Sequence, residues 1–108
     1  MENKNGSKKV NFSIAERISI LNIMPDKDNF ERLIIREEIL EKVKLKINEI
    51  DKYDIQTTEK GITWNDDGAT FGYTFNKTES NYIRDNLKKL SEENKLEAGL
   101  LRIYKTFV

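Results

Sequence analysis

Cysteine and histidine are both missing from these 108 residues, and the two absences remove much of the usual catalytic vocabulary. Disulfides, thiol nucleophiles, Cys/His zinc sites, a Ser-His-Asp triad and imidazole acid–base chemistry are excluded. An active centre would have to run on carboxylates, Lys, Arg, Tyr, Ser or Thr. Proline is scarce, Pro25 being the only one, and no two of the five glycines have the spacing of a phosphate-binding loop. No apolar run approaches the ~20 residues of a membrane span. The polar start MENKNGSKKV lacks the apolar core of a signal peptide. Zero cysteine suits a reducing compartment, and a cytosolic protein is expected.

What is present in excess is charge. Charged residues make up 35% of the chain, against about 25% in globular proteins, so much of the charge must lie on exposed helix faces. Lys+Arg and Asp+Glu number 19 each, a net charge of zero. No face is forced to be strongly basic, which argues against affinity built on neutralising phosphates. The length fits a single domain with one core.

Residues 1–11 are polar and show no period, and they read as a disordered arm ahead of a domain at 12–108, with a basic arm that orders on a partner as the alternative. Ser13 and Glu16 then match a capping box, with Phe12 placed to staple onto the first turn and Ile14, Ile18 and Leu21 on one helical face. Pro25 ends that helix. Asn29 can cap the next, over 30–44, where Leu33, Leu40 and Val43 form a stripe broadened by Ile35 and Ile39. So wide an apolar face predicts a central helix covered on more than one side. Val43, Leu45 and Ile47 alternate, which leaves two readings: one helix running to Ile50, or a break near Leu45 and a short helix to Tyr53.

From 53 to 75 the period falls to two, and a three-stranded antiparallel meander is expected at 54–58, 61–65 and 70–75. Lys60-Gly61 suits a tight turn, and Gly68 is free to take a left-handed conformation in the loop that follows Asn65. Trp64, Phe71, Tyr73 and Phe75, with Ile62, give one aromatic face that helices should cover as the structural core. Beyond it, Asn76 or Thr78 caps a helix carrying Ile83, Leu87 and Leu90, and Asn94 is placed to stop it. Leu96, Leu100, Ile103, Tyr104 and Phe107 form a last stripe that docks onto the core. The class predicted is α+β, about five helices on a small sheet.

Several pieces of chemistry can be weighed against plainer readings. Asp26-x-Asp28 faintly resembles a calcium loop, but Phe30 and Glu31 stand where an oxygen ligand and a glycine are needed. Asp66 and Asp67 read as turn residues more readily than as a metal or acid–base pair. A base-stacking role for Trp64 and its neighbours would call for a basic rim, and this segment carries four acidic residues against Lys60. A DNA recognition helix needs exposed Arg, Lys, Asn or Gln near its start, and the second of two consecutive helices offers Glu31 and Arg32 there with Glu37 and Glu38 beyond, a charge balance that argues against that role. Asp54, Glu59, Asp66 and Asp67 remain as a candidate binding surface for a basic partner, against the plainer reading of a charged edge that deters strand pairing.

Phe12-Ser13-Ile14-Ala15-Glu16-Arg17, Leu21-Asn22-Ile23-Met24-Pro25, Asn29-Phe30, the run from Ile55 to Trp64 and the closing Tyr104-Lys105-Thr106-Phe107-Val108 together resemble short uncharacterised proteins of tailed phages and prophages. The resemblance covers residues 12–108. It implies a phage setting, hence the cytosol of a bacterial host, and favours the break near Leu45; it implies no activity and no catalytic residue. Where that group tends to have glycine after the proline, this chain has Asp28. On these grounds no enzyme activity, metal or cofactor is expected. A phage accessory protein that binds and inhibits a host protein is expected instead, membrane and nucleic acid not being expected as partners. An oligomeric binder of a small nucleotide and a minor virion assembly component are the alternatives.

Overall fold

Apolar–polar alternation also runs through Lys8–Ser13, where Val10 and Phe12 point one way and Lys9 and Asn11 the other. The structure, a computed structural model, describes residues 7–65 and 67–108. In chain order it contains strand β1 (Lys8–Ser13) and helices α1 (Ile14–Ile23), α2 (Phe30–Val43) and α3 (Ile47–Lys52). Strands β2 (Gln56–Thr58), β3 (Gly61–Thr63) and β4 (Thr70–Phe75) follow, then helix α4 (Lys77–Glu92), one 3-10 turn at Ala98–Leu100 and helix α5 (Leu101–Phe107). The class is α+β, as composition and period predicted.

The expected sheet is not what forms. β1 pairs with β4 in full antiparallel register, Lys8 opposite Phe75 through Ser13 opposite Thr70, while β2 and β3 pair only with each other. Residues 8–11 are therefore strand and not arm; residues 1–6 of the expected arm lie outside the described residues. Length explains the partnering. β4 has six residues with an aromatic at every second position, β1 matches all six, and β3 offers three. Phe12 then stands beside Tyr73 and Phe75 with ring centroids at 5.7 and 6.1 Å, a spacing at which aromatic pairs attract. Each strand also lends a carbonyl to a helix cation. Thr74 accepts from Lys42 Nζ at 3.0 Å and Asn11 accepts from Arg102, which covers edge groups that would otherwise invite another strand.

The helices begin where the caps predict. Ser13 Oγ accepts the Glu16 amide while Glu16 accepts the Ser13 amide, and Asn76 with Glu79 repeats the device at α4. Asn29 caps α2 by accepting the Arg32 amide at 2.9 Å. At the far end of α4, Asn94 takes φ 58°, with Lys95 N donating to the Leu90 carbonyl and Asn94 N to that of Ser91. That pair of bonds is a Schellman stop.

One core results, in which Phe12, Ile20, Ile39, Val43, Phe75, Ile83, Leu87 and Ile103 are all buried and Phe107 seats α5 against the Phe75 ring at 6.0 Å. Two expected faces are corrected. The buried line of α1 is Ile14, Arg17 and Ile20, with Ile18 and Leu21 only half-buried; an arginine can occupy that centre because its charge is paired there. In α2, Ile39 and Val43 are buried, Leu33, Ile35 and Leu40 half-buried, and Phe30 and Ile34 stand in solvent. α2 thus lies on the flank of the domain and is not wrapped on several sides. Among the described residues no helix is long and apolar enough to cross a membrane.

Candidate functional site

Between the end of α2 and the start of β4 the chain makes a lobe, residues 47–69, containing α3 and the β2–β3 hairpin. The helix break falls at residues 44–46, next to the Leu45 position favoured by the sequence. α3 ends in a second Schellman stop. Ile55 N donates to the Ile50 carbonyl at 3.0 Å and Asp54 N to that of Asp51, with Asp54 at φ 49°. The hairpin springs directly from this stop. Its two-residue turn, Glu59-Lys60, is followed by Gly61 at φ 124°, the conformation that needs glycine. The strand after the turn returns to the helix, Asn65 N donating to the Tyr53 carbonyl at 2.7 Å.

What fastens the lobe to the domain is Arg17, 1% exposed. Its guanidinium donates to the Val43 carbonyl at 3.1 Å and the Lys44 carbonyl at 2.7 Å, and grips Glu49 through both oxygens at 2.7 and 2.8 Å. The two carbonyls lie at the C-terminus of α2, where helix acceptors have no intrahelical donor and the dipole favours a cation. The same group lies over the Phe71 ring at 4.7 Å from its centroid. Burial alone would lower the Arg17 pKa; the hydrogen bonds to Glu49 reverse this and raise it. In return the Arg17 hydrogen bonds hold Glu49 below the ordinary carboxylate range against the effect of burial, aided by the Lys46 amide at 3.0 Å. Tyr53 makes the second attachment, buried and edge-on to Phe71 at 6.0 Å.

The residues singled out by sequence fall as follows. Phe75 is in the core and Tyr73 packs partly buried against it, whereas Phe71 and Trp64 are half-buried. Trp64 is thus not the buried floor of a meander, because β3 never joins β4; its indole N–H is enclosed without a hydrogen-bond partner. Asp54, Glu59 and Asp67 are exposed on the lobe, and Asp66 lies outside the described residues. Asp54 accepts from Gln56 Nε2 and Asp67 from the Ala69 amide, so both partly serve their own turns. Asp28, from the rejected calcium loop, accepts from Arg32 and from the Asn29 amide. Among the described residues no three Asp or Glu side chains gather as a metal site would need.

Sequence reasoning missed the apolar part of the lobe. Ile47 is 80% exposed, and Ile50 and Ile62 are exposed as well. Ile47 and Ile50 lie one turn apart on α3, and the turn of Glu49 and Tyr53 toward Arg17 and Phe71 leaves Ile47 facing solvent. The spacing of Glu49 and Tyr53 at i, i+4 was the available signal. No protein-family model, curated protein or solved structure matches the chain.

Proposed function

We propose that the protein acts by binding another protein and not by catalysis, as a phage accessory protein that occupies and inhibits a component of its bacterial host. The observation that carries this reading is the set of apolar side chains left in solvent on the lobe, Ile47 on α3 foremost, with Ile50 and Ile62. Large apolar side chains held in solvent beside one another on a short helix, as Ile47 and Ile50 are, fit a surface that a partner covers. The buried charged groups support it from the other side. Arg17 is engaged by Glu49 and two carbonyls, and Glu79 by Lys42 at 2.6 Å and the Asn76 amide; both hold the fold together.

Affinity capture from host lysate, with the captured protein identified and its binding re-measured in purified form, tests the proposal. A partner bound at a defined stoichiometry is the expected result. A lysate that yields none, together with a thermal shift of several degrees on adding a nucleotide, would replace the proposal by the small-ligand reading.

A further inference from the structure

We infer that the docking surface is the outer side of the α3–hairpin lobe, and that its occupant is a basic protein surface with an apolar centre; this rests on the binding function proposed above. Three observations converge on it. The first is charge. Residues 47–69 carry Glu49, Asp51, Asp54, Glu59, Asp66 and Asp67 against Lys52 and Lys60. That is a net charge of −4 in a chain whose total is zero, so the remainder carries +4.

The second is that these charges are unspent. Outside the lobe, among the described residues, Glu16, Asp28, Glu37, Glu41, Glu79, Asp85 and Glu93 sit in ion pairs while Asp26, Glu31, Glu38, Glu92 and Glu97 do not, and within it Glu49 is taken by Arg17. Among the described residues, Asp51, Asp54, Glu59 and Asp67 are in none. Asp51 and Glu59 make no side-chain hydrogen bond either, so they, more than the turn-forming Asp54 and Asp67, are the groups free to meet a cation.

The third is the apolar element beside them. Ile47 and Ile50 share one face of α3, and Ile62 lies on the hairpin that leaves the end of that helix. Exposed apolar side chains and unpaired charges of one sign on the same short lobe favour a partner of the opposite charge that also offers apolar groups, the charges setting encounter and orientation and the apolar contact supplying residence.

The lobe carries its own reporter, since Trp64 is the single tryptophan. Three synthetic helical peptides of equal length serve as probes: one of leucine and lysine, one of leucine and glutamate, one of serine and lysine. The leucine–lysine peptide should change Trp64 emission saturably, bind at least ten times more tightly than either other peptide, and weaken as salt is raised.

In anisotropy measurements with the same labelled peptide, Ile47→Asp and the pair Asp51→Lys with Glu59→Lys should each weaken binding about ten-fold or more, while Phe30→Ser leaves it unchanged. All four residues are exposed, and circular dichroism melts verify that the variants fold.

No binding of the leucine–lysine peptide, equal binding of the leucine–glutamate peptide, or equal loss in Phe30→Ser would overturn the assignment. So would a dimer in sedimentation that Ile47→Asp abolishes, since the lobe would then be filled by a second copy. A host partner captured equally well by wild type and Ile47→Asp would overturn this surface and leave the binding function standing.

Discussion

Arg17 and Glu49 meet in a two-pronged ion pair at 2.7 and 2.8 Å, one from the first helix and the other from the third. Arg17 simultaneously closes the end of the second helix, so one buried guanidinium decides where the lobe sits. Removing one member of a buried pair leaves the other unpaired and typically costs about 3–5 kcal/mol. Arg17→Ala should lower stability by about that much, and Glu49→Gln, which keeps one acceptor oxygen, by less. Hydrogen exchange gives the sharper check: in Glu49→Gln, amides of α3 and the hairpin should exchange faster while those of β1 and β4 change little.

The response to acid follows from the lowered carboxylates. Glu49 is held down chiefly by Arg17. Glu16, which burial alone would raise, ends below its ordinary value through Arg102 and the Ser13 amide. A group whose folded pKa is depressed contributes stability above its unfolded pKa and loses it as pH falls through the folded one. The urea midpoint should therefore be nearly flat from about pH 7.5 to 5.5, there being no histidine to titrate. It should fall below about pH 4. A decline already complete by pH 5.5 would contradict this.

Asp54 and Asn94 both end helices in left-handed backbone, at φ 49° and 58°. Glycine adopts that region without a Cβ penalty, whereas a β-branched residue is strained there by about 1–2 kcal/mol. Asp54→Gly should match or exceed the wild type in thermal stability, and Asp54→Val should melt lower. If Asp54→Val melts like wild type, the stop after α3 is wrongly placed.

Helix starts depend on two side-chain acceptors. Losing such a cap costs about 1 kcal/mol, within a range of 0.5–2, so Asn76→Ala and Ser13→Ala should each shift the denaturation midpoint by that much. Asn76→Asp should restore most of the loss.

Phe12 and Phe30 separate core from surface. Phe12 is 1% exposed and Phe30 78%. Phe12→Ala should cost about 3–5 kcal/mol, and Phe30→Ser should stay within about 0.5 kcal/mol of wild type. Chemical denaturation of the two variants side by side reads the difference.

Local chemistry was legible in the sequence because local bonds carry it. Ser13, Asn29 and Asn76 as caps, Asn94 as a stop, Gly68 at φ 78° and the break beside Leu45 all depend on residues within a few positions of one another. The acidic lobe was legible as composition. Three features required the tertiary structure. Period two marks β4 as a strand but does not choose its partner, and β1, about sixty residues earlier, won because it matches β4 in length and places Phe12 among Tyr73, Phe75 and Phe107. A lone arginine on an apolar stripe reads as surface until Glu49 and two helix-end carbonyls, 26 to 32 residues on, compensate its burial. Alternation of Val43, Leu45 and Ile47 does not say which way Ile47 points, and it faces water because Glu49 and Tyr53 turn α3 toward Arg17 and Phe71. The sequence by itself determined where the capped helices α1, α2 and α4 start, because those bonds are local; only the fold decided that residues 8–11 form a strand and which face of each element is covered, because pairing and burial are set by partners distant in the chain.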